Sequence, residues 1–180
     1  MSSTKAPAPP TDVKGLVHPN ASLLGTHTIT IGQKAIIQPR ARLNSAHGPI
    51  NIGAHTIVAE KASVGYSSSP ASSREKPANI GKGVIIETAA TIEATSIGDH
   101  TIIEARATVG KDAVIGRNCK ICAGVKLRDG ENVEEGTIIW GDSWDQRRVE
   151  HDGKGLRAGA GRKGLVEGLG DGLRAVWTTK

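Results

Sequence analysis

The stretch IGDHTIIEARATVGKDAVIGRNCKICAGVKLRDGENVEEGTIIW, residues 97–140, decides the fold, because an aliphatic side chain returns in it at every sixth position. The series runs Ile97, Ile103, Val109, Ile115, Ile121, Leu127, Val133 and Ile139. An α-helix repeats a face every 3.6 residues and a strand every 2, so a period of six belongs to neither. A second series lies four residues after the first and is mostly small: Thr101, Ala107, Ala113, Cys119, Val125, Glu131 and Thr137, with Glu131 the one poor fit. Gly98, Gly110 and Gly116 directly follow three of the aliphatics, which suggests corners where the backbone must escape a Cβ penalty. These spacings predict hexapeptide repeats, in which three hexads wind one turn of a triangular prism and successive turns stack as parallel strands.

Traced toward the N-terminus, the beat persists in blocks of three. Ile80, Ile86 and Ile92 form one block, whose last step to Ile97 is one residue short. Ile52, Val58 and Val64 form another, and the sixteen-residue step to Ile80 contains a hexad plus ten inserted residues. Ile31, Ile37 and Leu43 precede it, with a nine-residue step to Ile52 that leaves three extra residues near Asn44 to Ile50. Val17 and Leu24 read as a weaker first pair. The count predicts roughly six turns, and a strand spacing of about 4.8 Å makes the prism on the order of 30 Å long.

Composition fits one such all-β domain. The 180 residues suffice for a single core, and hydrophobic content is ordinary at 37%, but aromatics are only 2%, Phe is absent and Gly numbers 23. A narrow prism has room for Ile, Val, Leu, Ala and Thr and little for rings. No apolar run has the length of a membrane span, and Met1 to Thr11 lacks the apolar centre of a signal peptide, so a cytoplasmic location is expected. Two cysteines are too few for a disulfide framework, in keeping with a reducing compartment. The expected organisation is a Pro-rich disordered lead-in over 1–14, a β-helix over 15–142 interrupted by a Ser-rich loop at 65–79, and an exit segment with a weakly helical tail over 143–180. Tyr66, and Ser69 before Pro70, mark that loop as a candidate contact or phosphorylation site. The stretch from Gly141 to Gly155 reads as a bend leading off the prism.

In the tail, Leu165, Val166, Leu169, Leu173, Val176 and Trp177 recur at helical spacing, while glycines at 159, 161, 164, 168, 170 and 172 weaken the helix. Such a helix is expected only if its apolar face docks on the prism or on a partner. From Arg147 onward eight basic residues face four acidic ones, which is +4 of the formal +5 of the chain. Single-strand nucleic-acid binding calls for stacking aromatics, and the tail beyond the bend offers only Trp177, so no nucleic-acid partner is expected.

Catalysis on a prism would need histidines in particular settings. A zinc site takes about three imidazoles or equivalents within roughly 2.1 Å of the ion. The histidines stand at 18, 27, 47, 55, 100 and 151, and no two are five apart, as the His-x4-His pair of gamma-class carbonic anhydrases requires. His55 and His100 hold the same place in the hexad and are expected on comparable corners. His47 or His100 could serve as the base of an acyl transfer, yet nothing adjacent singles either out. Cys119 and Cys122 spell C-x2-C without a second pair, and core packing accounts for them. No nucleophile elbow or phosphate loop occurs. No catalytic, cofactor-binding or metal residue is assigned, and no cofactor is expected.

The order of blocks AHGPINIGAHTIVAEKASV, a polar insertion, NIGKGVIIETAATIEATSIGDHTIIEARATVGKDAVIGRNCKICAGVKL and ENVEEGTIIWGDSWDQRRVE resembles the dynactin subunit 6 family, over roughly Val13 to Glu150. Single hexads are common to many prisms, whereas the insertion after Val64, the short step before Ile97 and the exit through Arg147 and Arg148 are together more specific. The resemblance implies a left-handed β-helix that is not an enzyme. It implies a structural or adaptor subunit of the dynactin pointed-end complex, beside dynactin subunit 5, dynactin subunit 4 and the actin-related pointed-end protein. Dynein and cargo would be reached indirectly along microtubules, at the cytoskeleton and without membrane insertion. The alternative is a hexapeptide-repeat enzyme, a gamma-class carbonic anhydrase-like protein or acyltransferase, working as a homotrimer.

Overall fold

The computed structural model describes residues 8–67, 75–141 and 147–150. The chain forms the expected single-stranded parallel β-helix, with three sheets as the faces of a prism. The first face stacks Thr11–Val13, Ile29–Ile31, Ile50–Ile52, Ala78–Ile80, Ser96–Ile97, Val114–Ile115 and Asn132–Val133. The second stacks Leu16–Val17, Ile36–Ile37, Ile57–Val58, Ile85–Ile86, Ile102–Ile103, Lys120–Ile121 and Thr137–Trp140. The third stacks Ser22–Gly25, Arg42–Ser45, Ser63–Val64, Thr91–Ile92 and Thr108–Val109, and a bridge from Thr108 to Lys126 carries it one turn further. Seven strands on the first face give a column about 29 Å long at the usual strand spacing.

Register explains why the beat is six. Ile31 pairs with Ile52, Ile52 with Ile80, Ile80 with Ile97, Ile97 with Ile115 and Ile115 with Val133, so each hexad aliphatic stacks on its counterpart one turn away. The first series lies in one interior cluster, with Ile103, Val109 and Ile121 at 0% exposure. The second series is buried at Thr101, Ala107, Ala113, Cys119, Val125 and Thr137, while Glu131 is half-buried. Buried threonines are satisfied: the Thr101 hydroxyl donates to the Gly116 carbonyl at 2.8 Å and accepts from the Cys119 amide at 3.1 Å.

From Ile31 onward, each uninterrupted corner turns through a left-handed residue three places after the inward aliphatic. At most of these places a side chain is tolerated: Lys34, Arg40, His55, Lys61, Ala89, His100, Arg106, Asp112 and Asn118 have φ between 54° and 61°. Gly98, Gly110 and Gly116 are therefore not glycine for the reason expected from the sequence, since none has positive φ. They answer to the stacking of turns: a Cβ on Gly98 would stand 2.6 Å from the Arg117 amide nitrogen, and one on Gly116 2.6 Å from that of Glu135.

Four expectations are corrected. Thr11–Val13 pair with Ile29–Ile31, so the column begins inside the supposed lead-in. Leu23, not Leu24, is the inward residue of the first turn, pairing with Leu43, while Leu24 is 51% exposed; the beat from Val17 is intact. The insertion ends before Asn79, because Ala78–Ile80 is already a strand of the first face. Arg147–Glu150 are not a bend leading away. They form an antiparallel strand against Thr137–Trp140 and cover the last edge of the second face, where an open edge would invite pairing. Ser69 and the tail from His151 to Lys180, with its expected helix, lie outside the described residues.

Candidate functional site

All interruptions of the beat fall on one edge of the prism. The steps after Leu43, Val64 and Ile92 each follow a strand of the third face, so the extra residues and the missing one stack on the corner that leads to the first face. The short corner between Ile92 and Ile97 has no left-handed residue, and it leaves a notch beside the insertion of the preceding turn.

Tyr66 fills that notch. Its side chain is 2% exposed, which corrects the expectation of a solvent-facing loop residue open to modification. The phenol donates to Asp112 Oδ1 at 2.8 Å, and a contact with the Thr95 hydroxyl comes from the short corner itself. Tyr66 thus bridges from its own turn to the turn beyond the notch. Lys76, at the far end of the insertion, reaches the same carboxylate oxygen at 3.1 Å. Burial first, and the hydrogen bond to Asp112 next, push the Tyr66 phenol up to about 12. That same hydrogen bond, followed by Lys76, holds Asp112 below the usual carboxylate range.

Further bonds fix both roots of the insertion. The Tyr66 carbonyl accepts from Asn44 Nδ2 at 3.0 Å, and the Ser67 amide donates to Glu93 Oε1 at 2.7 Å. On the other side the Lys76 amide donates to the His47 carbonyl at 2.8 Å. His27 donates through Nδ1 to the Ser45 carbonyl at 2.7 Å and faces Glu75 through Nε2 at 3.2 Å. Gly65 must lack a side chain here: its φ is +103°, and a Cβ would lie 2.1 Å from the Asn44 carbonyl oxygen. The cluster is a clasp. A phenol held protonated and a carboxylate engaged by two donors offer no free base.

The other sequence candidates are dispersed. His55 and His100 share one edge, between the first and second faces, with Gly83 of an intervening turn between them. Two strand spacings put their backbones about 9–10 Å apart, and no third His, Cys, Asp or Glu joins them among the described residues. The His100 ring leans over Gly83, 2.7 Å from where its Cβ would be, and the buried Nδ1 of His55 meets no hydrogen-bond partner among the described residues. His47 stands on the insertion edge and contributes its backbone carbonyl. Cys119 is in the core and its thiol donates to the Glu134 carbonyl at 2.9 Å; burial pushes it up, as it does the half-buried Cys122. Among the described residues no three of His, Cys, Asp and Glu gather where an ion would sit. Sequence reasoning missed Asp112, Lys76, Asn44, Glu93 and His27, although the stacking of interruptions on one corner was countable from the blocks.

The family described as Bacterial transferase hexapeptide (six repeats) matches residues 94–129. A protein named Dynactin subunit 6 from Nematostella vectensis is 31% identical over 124 residues, 66% of this chain and 67% of the relative. Its namesake from Danio rerio is 29% identical over 128 residues, covering 68% and 65% of the two chains. That from Xenopus tropicalis is 31% identical over 127 residues, covering 68% and 63%. The chain thus spans about two thirds of the length of these relatives. Among solved structures, a hexapeptide transferase family protein from Anaplasma phagocytophilum superposes with TM-score 0.51 at 18% identity, covering 89% of this chain and 92% of that one. The acetyltransferase domain of PglB from Neisseria gonorrhoeae gives TM-score 0.53 at 15% identity, covering 78% and 57%. At such identities the likeness is one of fold.

Proposed function

The chain belongs to the dynactin subunit 6 family, and from that premise we propose that it is a non-catalytic structural and adaptor subunit of the dynactin pointed-end complex. In that role it supports dynein-driven transport and cargo attachment along microtubules, in the cytoplasm at the cytoskeleton. The observation that carries the reading is the 31% identity to a relative of that name across two thirds of both chains. The physical form of the molecule supports it. Every turn is hydrogen-bonded to the next, so the column resists bending and its walls keep a fixed spacing at which a partner can bind. Beyond Asp12 at its first strand, the first face presents outward Thr30, Asn51, Asn79, Ser96, Val114 and Asn132, uncharged side chains that meet a protein surface without charge desolvation; Asn51 already donates to Asn79 at 2.8 Å. No helix among the described residues is long and apolar enough to cross a membrane.

The partners in this reading are dynactin subunit 5, dynactin subunit 4 and the actin-related pointed-end protein, with dynein and cargo reached through the assembly. Affinity capture of the tagged chain from its own cells, followed by identification of what accompanies it, tests the reading. Recovery of pointed-end subunits supports it, and their absence from a capture that retains the tagged chain overturns it. The acyltransferase alternative has the shared fold in its favour. It predicts a homotrimer that consumes an acyl donor, whereas the adaptor reading predicts neither.

A further inference from the structure

The positive charge of the column gathers on its third face. The outward row of that face reads Arg42, Ser63, Thr91, Thr108 and Lys126, each in register with the next, so two cations bracket three hydroxyl side chains. Four turn spacings separate the ends of the row, about 19 Å. Arg40, Lys61 and Arg106 stand beside it on the left-handed corner toward the second face, and Arg128 lies two residues beyond Lys126. These six cations meet two carboxylates on the wall, Glu60 and Glu93. Both carboxylates are engaged: Arg40 donates to Glu60 at 2.5 Å, and Glu93 takes the Ser67 amide at 2.7 Å, at the root of the insertion. Over the other described residues from 8 to 141, seven cations face ten carboxylates, so the excess belongs to this wall and not to a generally basic column. Shape adds to charge. Between the basic ends Ser63, Thr91 and Thr108 are short and half-buried, and Gly65 and Gly110 beside them have no side chain, so the long cations rise at either end of a low floor.

We propose that this trough binds an acidic segment of another protein, extended along the column axis. At about 3.3 Å per residue, a stretch of about six residues spans the floor and brings carboxylates to both basic ends. The planar guanidinium groups of Arg42 and Arg128 suit carboxylates, which they can engage through two parallel hydrogen bonds. The hydroxyls of Ser63, Thr91 and Thr108 both donate and accept, so they can serve the backbone of the bound segment between those ends. Nucleic acid fits less well, because no aromatic side chain projects from the row to stack on a base. A lipid surface is too flat to reach the floor, and Leu24, the exposed large apolar side chain of this wall, lies outside the trough on the first turn. The inference stands on the charge and register of this wall and not on membership of any complex, so its failure leaves the adaptor role untouched.

The test is fluorescence anisotropy of a labelled hexapeptide of alternating Glu and Ser, titrated with the full-length chain. Arg42→Ser combined with Arg128→Ser should raise Kd at least about tenfold, as loss of hydrogen bonds between charged groups does. Lys82→Ser combined with Arg117→Ser removes the same charge from the edge between the first and second faces, and should change Kd less than about twofold. Equal effects of the two pairs, or no binding at millimolar peptide, overturn the proposal. Thr91→Phe fills the floor without changing charge and should also cost affinity; an unchanged Kd overturns the trough. Should a variant fail to fold, carbodiimide coupling to the wild-type chain decides: peptide carboxylates joined to Lys61 and Lys126 support the site, and coupling at Lys34 and Lys82 instead overturns it. Tighter binding of single-stranded DNA or of phosphatidylserine vesicles than of the peptide overturns it as well.

Discussion

Tyr66 is the only tyrosine in the chain, so its ionisation can be read directly from tyrosinate absorbance. In the folded protein the phenol is buried against Asp112 and held protonated to about 12, against 10.0 for the free side chain. Below pH 10 folded and unfolded chains both keep the proton, and the contribution of the clasp to stability is complete. Between pH 10 and 12 the unfolded chain loses it first, so stability falls by about 1.4 kcal/mol per pH unit, or about 2.7 kcal/mol across the window. Tyr66→Phe keeps the ring in the notch and the Lys76–Asp112 pair at 3.1 Å, and removes one hydrogen bond to a charged acceptor, a loss of about 1.5–3 kcal/mol at neutral pH. Tyr66→Ala also empties the notch and costs about 3–5 kcal/mol. Urea unfolding of the three proteins at neutral pH and again near pH 11.5 measures both effects, and taking the wild type minus Tyr66→Phe removes the titration of lysines. An absorbance midpoint near 10 in the folded protein, or a Tyr66→Phe variant as stable as wild type at neutral pH, refutes the clasp.

Asp112 is held low by Tyr66 and then by Lys76, so its contribution is complete above the ordinary carboxylate value of 3.8 and is lost as pH falls through the lower folded value. Asp112→Asn should flatten that part of the acid-unfolding curve, as followed by circular dichroism against pH. Ala89 sits at φ 58°, so Ala89→Gly should stabilise by up to about 1 kcal/mol, while Gly124→Ala at φ 71°, with open space around it, should cost about the same. Thermal unfolding checks both. Ile103→Ala at 0% exposure should cost about 2–5 kcal/mol and Val114→Ala at 45% less than about 0.5, which chemical denaturation separates.

What was legible in the sequence is what repeats. An inward side chain must return at a fixed spacing because each turn rests on the next, so the positions of Ile97 to Ile139 report the interior directly. The exit segment was misread because Arg147 to Glu150 has no hexad beat. It is antiparallel and made of one short strand, whose partner is set by the edge it covers. Gly98 and Gly116 were assigned the right corner and the wrong cause, since a crowded neighbour and a left-handed φ leave the same letter in a sequence. Tyr66 was placed in a polar loop by its neighbours in the chain, whereas Asp112, which accepts its hydrogen bond, is 46 residues away, and Lys76, which pairs with that carboxylate, is 10 away. A single contact made once carries no period, and only the stacking of interruptions on one corner hinted at it.

Native mass spectrometry of the purified full-length chain, alone and mixed with dynactin subunit 5, tests most directly the claim that this column serves as a wall for protein contact. The account predicts no homotrimer alone and a heteromeric complex containing one copy of this chain when the partner is added. A stable homotrimer that ignores the partner and retains an acyl donor would contradict it.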